Sequence, residues 1–272
     1  MSDVKQKSFE DITVVAIYGD GRGKVALPAL RKTAEALPGC KSLLITNIEL
    51  DITKIHQKII GAPLDYQAYS EFVMYSLHNY IDTDYALIVQ HDGWALDAKN
   101  WNDDWFNYDY IGGPSHAALM PNGEFSTLYQ WCMDGKDYKD ALIVQNGGFS
   151  LRSKKFLEAP SKHGIMRRNF PEAMLNNEDV QLGCFLRPAM ENVGIKYAPL
   201  EVAKYFSFEH FGPIHNGMNS TKIFGHHSRF RQLLSNGEML YKLTEEQRKQ
   251  IMGEEQAFAM FENHYGYTIH AV

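Results

Sequence analysis

Asp84-Tyr85-Ala86-Leu87-Ile88-Val89-Gln90-His91-Asp92-Gly93-Trp94 is the stretch from which the fold can be read. Tyr85 to Val89 form a near-continuous apolar run with two β-branched members, the pattern of a strand covered on both faces by helices. The run stops at a polar corner. Ligands of open α/β sheets bind beyond the carboxyl ends of the strands, so Asp92, followed by Gly93, suits a metal or a phosphate there. Asp-Gly is equally a turn pair.

Upstream, Ile12 to Tyr18 is a second continuous apolar run, ended by Gly19-Asp20-Gly21-Arg22-Gly23. The glycines would let backbone N–H groups approach a phosphate, yet neither the dinucleotide fingerprint nor the P-loop spacing is met, and a tight connection explains them as well. Leu27, Leu30, Ala34 and Leu37 recur at helical spacing, and Pro38-Gly39 stops that helix. Ser42 to Thr46 is the next strand. After Gly61-Ala62-Pro63, the residues Tyr69, Phe72, Val73, Leu77 and Tyr80 mark a helix, with Tyr69 either stacking on a base or filling the core.

Downstream, Trp94, Trp101 and Trp105 lead to a strand at Tyr108 to Ile111 and then Gly112-Gly113-Pro114. Rings beside polar groups suit the apolar faces of sugars or anchor a lid by packing. Residues 115–140 lack periodicity and read as a long, partly mobile functional loop. Ala141 to Gln145 is a strand running into Asn146-Gly147-Gly148, where adjacent glycines suggest a bulge or the close approach of a ligand. Arg152 could pair with a phosphate or close a salt bridge at the sheet edge. Asn177-Glu178-Asp179 opens a helix, where acids complement the dipole in any case. Ile195 to Ala198 and Val202 to Phe208 read as short strands, and His226-His227 as a metal site or a surface pair. Thr244-Glu245-Glu246-Gln247 fits a capping box, so 236–272 is expected to be a helical appendage.

Composition narrows the class. A chain of 272 residues with 44% hydrophobic content reads as one domain, residues 1–272, without internal repeats. A net charge of -6 without a basic stripe argues against nucleic acid. Cys40, Cys132 and Cys184 are an odd number without paired spacing, which suggests free thiols in a reducing compartment. Met1 to Glu10 lacks the core of a signal peptide and no stretch approaches a membrane span, so the expected location is cytoplasmic, peripheral to a membrane if the acceptor is lipid-linked.

Five blocks taken in order resemble GT-A glycosyltransferases, especially a family of bacterial, fungal and viral proteins long labelled a domain of unknown function. They are Gln90-His91-Asp92, Tyr110-Ile111-Gly112-Gly113-Pro114, Asn146 to Arg152, Asn177-Glu178-Asp179 and Phe224-Gly225-His226-His227. The resemblance implies a single GT-A-like, Rossmann-like α/β domain with a mostly parallel central sheet flanked by helices. It implies sugar transfer from a nucleotide donor, uridine diphosphate-linked, to a hydroxyl on a glycan or other acceptor, hexosyltransferase-like and inverting, although the same fold also supports retention. Asp92 would match the last acid of an Asp-x-Asp motif, with His227, or failing it His226, completing a manganese or magnesium shell. Gln90 stands where that motif has its first acid, and an amide supplies a neutral oxygen in place of a charge.

On this reading Tyr18, Tyr69, Gln90, Asp92 and Arg152 bind the donor, and Trp94, Gly147 and Gly148 face the acceptor. Asp179 is the general base, kept ionised by the dipole and an asparagine cap, while Glu178 supports it or hydrogen-bonds the acceptor. Two other classes use the same residues: a metal-dependent hydrolase, and a nucleotide- or carbohydrate-binding module without catalysis.

Overall fold

The computed structural model describes residues 9–127 and 140–272. Cys132, most of the amino-terminal segment and residues 128–139 of the expected loop lie outside the described residues. Strands β1 (Ile12–Tyr18), β2 (Lys41–Thr46), β3 (His56–Ile59) and β4 (Tyr85–Val89) run parallel in the spatial order β3-β2-β1-β4. Side chains alternate across a strand, which distributes these runs between two cores. Val14, Ala16, Leu87 and Val89 face helix α1 (Gly23–Ala36) through Ala26, Leu27 and Leu30. Val15, Ile17, Ala86 and Ile88 face α2 (Tyr66–Tyr75) through Val73 and Met74. Each Val, Leu, Ile or Met among them contributes about 1.5–3 kcal/mol when fully buried, so a one-residue slip of β1 or β4 would disrupt both layers.

Beyond β4 the sheet changes direction. After the short β5 (Gly93–Ala95) come β6 (Tyr110–Leu119), β7 (Phe125–Ser126) and β8 (Leu142–Ser153), and β8 pairs antiparallel with both β4 and β6. The central sheet is therefore mixed, and the expectation of a mostly parallel one is corrected. Burial on both faces produces continuous apolar runs whatever the strand direction. The helix α3 (Lys154–His163) follows β8 directly, with Ser153 Oγ capping Phe156 N–H at 3.0 Å, and covers the α2 side through Phe156 and Leu157.

Residues 115–119, expected to begin a loop, continue β6, because a tight turn at Pro121-Asn122-Gly123 folds β7 back on it. The bulge expected at Gly147-Gly148 is present: Gly112 pairs with Ser150 and Pro114 with Gln145, so β8 accommodates three more residues than β6 across that interval. Tyr110 Oη fixes it, donating to the carbonyls of Gln145 at 2.7 Å and Asn146 at 3.2 Å.

The one-turn helix α4 (Glu178–Val180) passes into a π-helical turn, Gln181–Phe185, and then α5 (Arg187–Asn192). Residues expected to form a strand from Val202 instead form α6 (Leu200–Phe206), which starts at Pro199 and buries Ala203 and Phe206 on one face. Only the two-residue β9 (Ser207–Phe208) remains extended there, and the predicted strand at Ile195 to Ala198 is reduced to one bridge, Tyr110 to Tyr197. β10 (Gly225–His227) lies between β5 and β9 in a small second sheet.

The carboxyl-terminal segment is mixed as well. β11 (Arg231–Leu233), β12 (Met239–Tyr241) and β13 (Ile269–Ala271) form a third sheet beside α7 (Glu245–Gln250) and α8 (Glu254–Asn263). The capping box at Thr244 and Gln247 is formed. This unit is not an appendage of helices. Met239, Tyr241, Met260 and Phe261 share a core with Trp94, Phe208 and Ala29, and buried Glu254 pairs with Arg231 at 3.0 Å and His210 at 2.7 Å while accepting from Tyr241 Oη. No described helix is long and apolar enough to cross a membrane.

Candidate active site

A cleft of about 640 Å³ opens across the carboxyl ends of β1 and β4. The two strands are neighbours at the point where the chain order of the sheet reverses, from β3-β2-β1 to β4, the usual position of a ligand crevice. Tyr18, Tyr69, Gln90, Asp92, Glu178, Asp179 and His227 all line it. A larger depression of about 1000 Å³ at the opposite edge, around Lys41, His56 and Lys154, contains none of these candidate groups.

The β4 corner supplies the first group. Asp92 is buried, its Oδ1 has no hydrogen-bond partner, and His227 Nε2 and His91 Nδ1 lie 3.4 and 3.6 Å from that oxygen. Burial opposes ionisation of Asp92, but His227 and His91 outweigh it and hold the carboxyl down at about 2. Burial likewise disfavours the His227 imidazolium, and Asp92, with smaller effects from Glu209 and Asp179, more than compensates and pushes it up to about 9. Tyr18 Oη is 2.8 Å from His91 Nδ1 and accepts the His91 N–H at 2.9 Å, which ties the end of β1 to the corner.

The second group comes from the β8 bulge and α4. Gly147 N–H donates to Asp179 Oδ2 at 3.0 Å. Glu178 accepts from Arg152 Nη2 at 2.8 Å, and Arg152 also reaches Ser150 Oγ and the Gly147 carbonyl. Burial and the adjacent Glu178 push the Asp179 carboxyl up to about 7. The expectation that a cap and dipole keep it ionised is corrected: Asn177 makes no side-chain cap bond, and three α-helical residues sum to little dipole.

Other assignments change with burial. Arg152 is fully buried, stacked over Tyr110 and Phe156 and paired with Glu178, so it holds the bulge in place of a donor phosphate. Trp94 is not an acceptor platform: it is fully buried, donates to Tyr267 Oη at 2.7 Å and meets His226 edge-on at 4.1 Å. Trp101 and Trp105 pack against Phe224. Neighbouring residues of a strand point to opposite faces, which sends His227 into the cleft and His226 away from it. His226 lies between Trp94 and Phe261 with both ring nitrogens unpartnered, and burial holds its pKa far below the ordinary value, so it is not a ligand for an ion in the cleft. Gly147 acts through its backbone behind the cleft. Gly148 lines the cleft, and a Cβ there would overlap His227 Nε2 and lie 2.8 Å from Gln90 Oε1.

Sequence reading missed Glu209, Arg22, Arg229 and Asp65, all of which line the cleft. Glu209 follows the run at Val202 to Phe208, most of which is helical and not extended, and isolated surface-type charges carry no local pattern. Asn146 has no role in the reading from sequence, although an Asn before two glycines is the visible signal of a side chain bonded to its own bulge: its Oδ1 accepts from Gly148 N–H at 2.8 Å.

Among the described residues no group of three or more His, Cys, Asp or Glu side chains is arranged to hold a metal. Asp92 Oδ1, without a hydrogen bond though within ion-pair distance of His227 and His91, suits a hard cation held by one carboxylate, with the other positions filled by phosphate oxygens and water, as magnesium commonly is.

Residues 51–227 match the family described as protein of unknown function (DUF5672). The chain belongs to that family. Its matched segment contains β4, the bulge, α4 and His227, while β1 and the carboxyl-terminal unit fall outside it. No curated protein matches the chain. Among solved structures, the bifunctional IspDF from Campylobacter jejuni is similar at 10% identity and a TM-score of 0.35, covering 69% of this chain. The match takes in 48% of that structure's length, so the chain spans about half of it.

Proposed function

We propose that the protein is a glycosyltransferase that moves a sugar from a uridine diphosphate donor to a hydroxyl acceptor with inversion. The observation that carries this reading is the convergence, in one cleft at the carboxyl ends of β1 and β4, of two acids with separated proton affinities, Asp92 held ionised and Asp179 raised to about 7. Environments that separate the pKa values of paired acids are how a site divides electrostatic from acid-base work. The nucleoside lies by Tyr18, Gly19, Asp65 and Tyr69, and Arg22 and Arg229 supply positive charge for the phosphates.

Asp179 takes the acceptor proton as the hydroxyl oxygen bonds to the anomeric carbon. The bond from that carbon to the diphosphate breaks, and the nucleoside diphosphate leaves with the electron pair. The Gly147 N–H holds Asp179 for this step, and the adjacent Glu178, anchored by Arg152, adds to the burial that raises its affinity for the proton. A magnesium or manganese ion carried in with the donor would be held by Asp92 and would neutralise charge on the leaving group.

Turnover with a panel of nucleotide sugars, with and without added acceptors, tests the proposal. Release of nucleoside diphosphate together with a glycosylated product is expected. Release to water alone would indicate a hydrolase, and nucleotide binding without any release a binding module.

A further inference from the structure

Four side chains of the cleft form a hydrogen-bond chain whose direction is fixed from one end. The backbone N–H groups of Gly148 and Phe149 both donate to Asn146 Oδ1, at 2.8 and 3.2 Å. An amide oxygen held by two donors turns its NH2 the other way, and Asn146 Nδ2 lies 2.6 Å from His227 Nδ1. Nδ2 has protons to give and no lone pair to offer, so in the neutral imidazole Nδ1 accepts and the ring proton sits on Nε2. Asp92 favours the imidazolium, but a proton on Nδ1 would set N–H against N–H across this 2.6 Å contact, which opposes that charge, and an imidazolium would keep a proton on Nε2 as well. In either state Nε2 has no lone pair for a cation. Nε2 is 3.1 Å from Gln90 Oε1, and Gln90 Nε2 donates onward to Tyr69 Oη at 3.0 Å.

We infer that His227 presents Nε2–H to the cleft as a hydrogen-bond donor for the diphosphate oxygens of the bound nucleotide, its single proton, which Gln90 Oε1 accepts in the free protein, being shared between that oxygen and the diphosphate, with Asn146 and Gln90 as the positioning residues that fix it. This accounts for an amide at position 90. Gln90 accepts from His227 and donates to Tyr69 at once, whereas an ionised acid could only accept and would add a second negative charge beside Asp92. Any cation that accompanies the diphosphate is then held by Asp92 without imidazole. The inference rests on the proposed nucleotide-sugar reading for the identity of the anion, and on the hydrogen-bond chain alone for the position of the proton.

Two measurements separate these parts. In ¹⁵N NMR of the imidazole rings at neutral pH, with the His227 signals assigned by their loss in His227→Ala, Nε2 is expected to carry the proton. An unprotonated Nε2 in the wild-type protein overturns the inference whatever the protein binds. In calorimetry with uridine diphosphate, His227→Ala is expected to weaken binding about tenfold or more, both with manganese and with EDTA, as for loss of a hydrogen bond to a charged group. His227→Gln, whose side-chain amide retains an N–H donor, should recover most of the affinity. A loss confined to the manganese titration would make His227 a ligand and overturn the inference. If wild-type protein binds no uridine diphosphate in either buffer, the diphosphate role falls with the proposed function, and the NMR result still decides the proton.

Discussion

Arg152 and Glu178 form an ion pair, Nη2 to Oε1 at 2.8 Å, that is almost sealed from water, with side-chain exposures of 0% and 7%. Removing one partner leaves the other charge buried without compensation, which is far costlier than replacing both. Arg152→Met is therefore expected to destabilise the protein by about 3–5 kcal/mol. The double variant Arg152→Met/Glu178→Leu should recover most of that loss. Urea unfolding of the two variants beside wild type measures it, and a double variant no better than the single one would contradict the assignment.

For Asp179, the expected consequence of Asp179→Asn is a fall in kcat of about a hundredfold or more with little change in nucleotide affinity, since the amide keeps the shape but takes no proton. The wild-type kcat/KM should rise with pH and level off above about 7, because the base must be ionised and its carboxyl is held at about 7 in the free protein. That acid limb should vanish in the variant.

The same shift has a stability sign. Asp179 binds its proton more tightly folded than unfolded, so its contribution to stability is greatest below the ordinary carboxyl value of 3.8 and is lost as pH rises to about 7. Asp179→Asn should thus cost less stability, or even add some, at pH 8 compared with pH 4. Thermal melts at the two pH values would show the reverse order if the carboxyl were held ionised.

At Gly148 a methyl group is enough to test the cleft. Gly148→Ala places a carbon against His227 and Gln90, and such overpacking typically costs about 1–3 kcal/mol. A separate effect is expected in calorimetry, as a loss of uridine diphosphate affinity of about tenfold or more, on the order of the 1.4 kcal/mol such a factor represents. Unchanged affinity would move the phosphates away from this corner.

Trp94 separates packing from sugar recognition. Trp94→Ala is expected to destabilise by about 3–5 kcal/mol, the range for deleting a buried aromatic. Trp94→Phe should lose less and leave the KM for acceptor unchanged. An acceptor KM raised severalfold in a fully folded Trp94→Phe would return this ring to the site.

The parts of the fold that could be read from the chain are those whose signal is local. β1, β2, β4, α1 and the bulge at Gly147-Gly148 each follow from an apolar period, a stop signal or paired glycines. The direction of β8 against β4 depends on pairing partners distant in sequence, and no residue of Leu142 to Ser153 encodes it locally. Val202 to Phe208 misled because an apolar run of that length fits either a strand or a helix face until its neighbours are known. In the site, Tyr18, Gln90 and Asp92 follow from their positions at strand ends, whereas Asp179 and His227, which line the same cleft, stand out only through the resemblance. The roles of Arg152, Trp94 and His226 are not legible, because burial decides their chemistry and sequence does not state it.

Every candidate group named in the proposed chemistry lies at or before Arg229, yet the chain continues for a purpose visible in the core around Trp94. A fragment ended just after the cleft residues would keep the whole catalytic inventory while baring Trp94, Phe208, Phe211 and His226 on the back of β10 and β5, and would leave His210, next to Glu209, without Glu254. Apolar faces of that extent drive self-association. The boundaries at which the family is recognised are therefore not boundaries at which the polypeptide can be cut, and the last forty residues form the rear wall that seals the back of the imidazole-bearing strand.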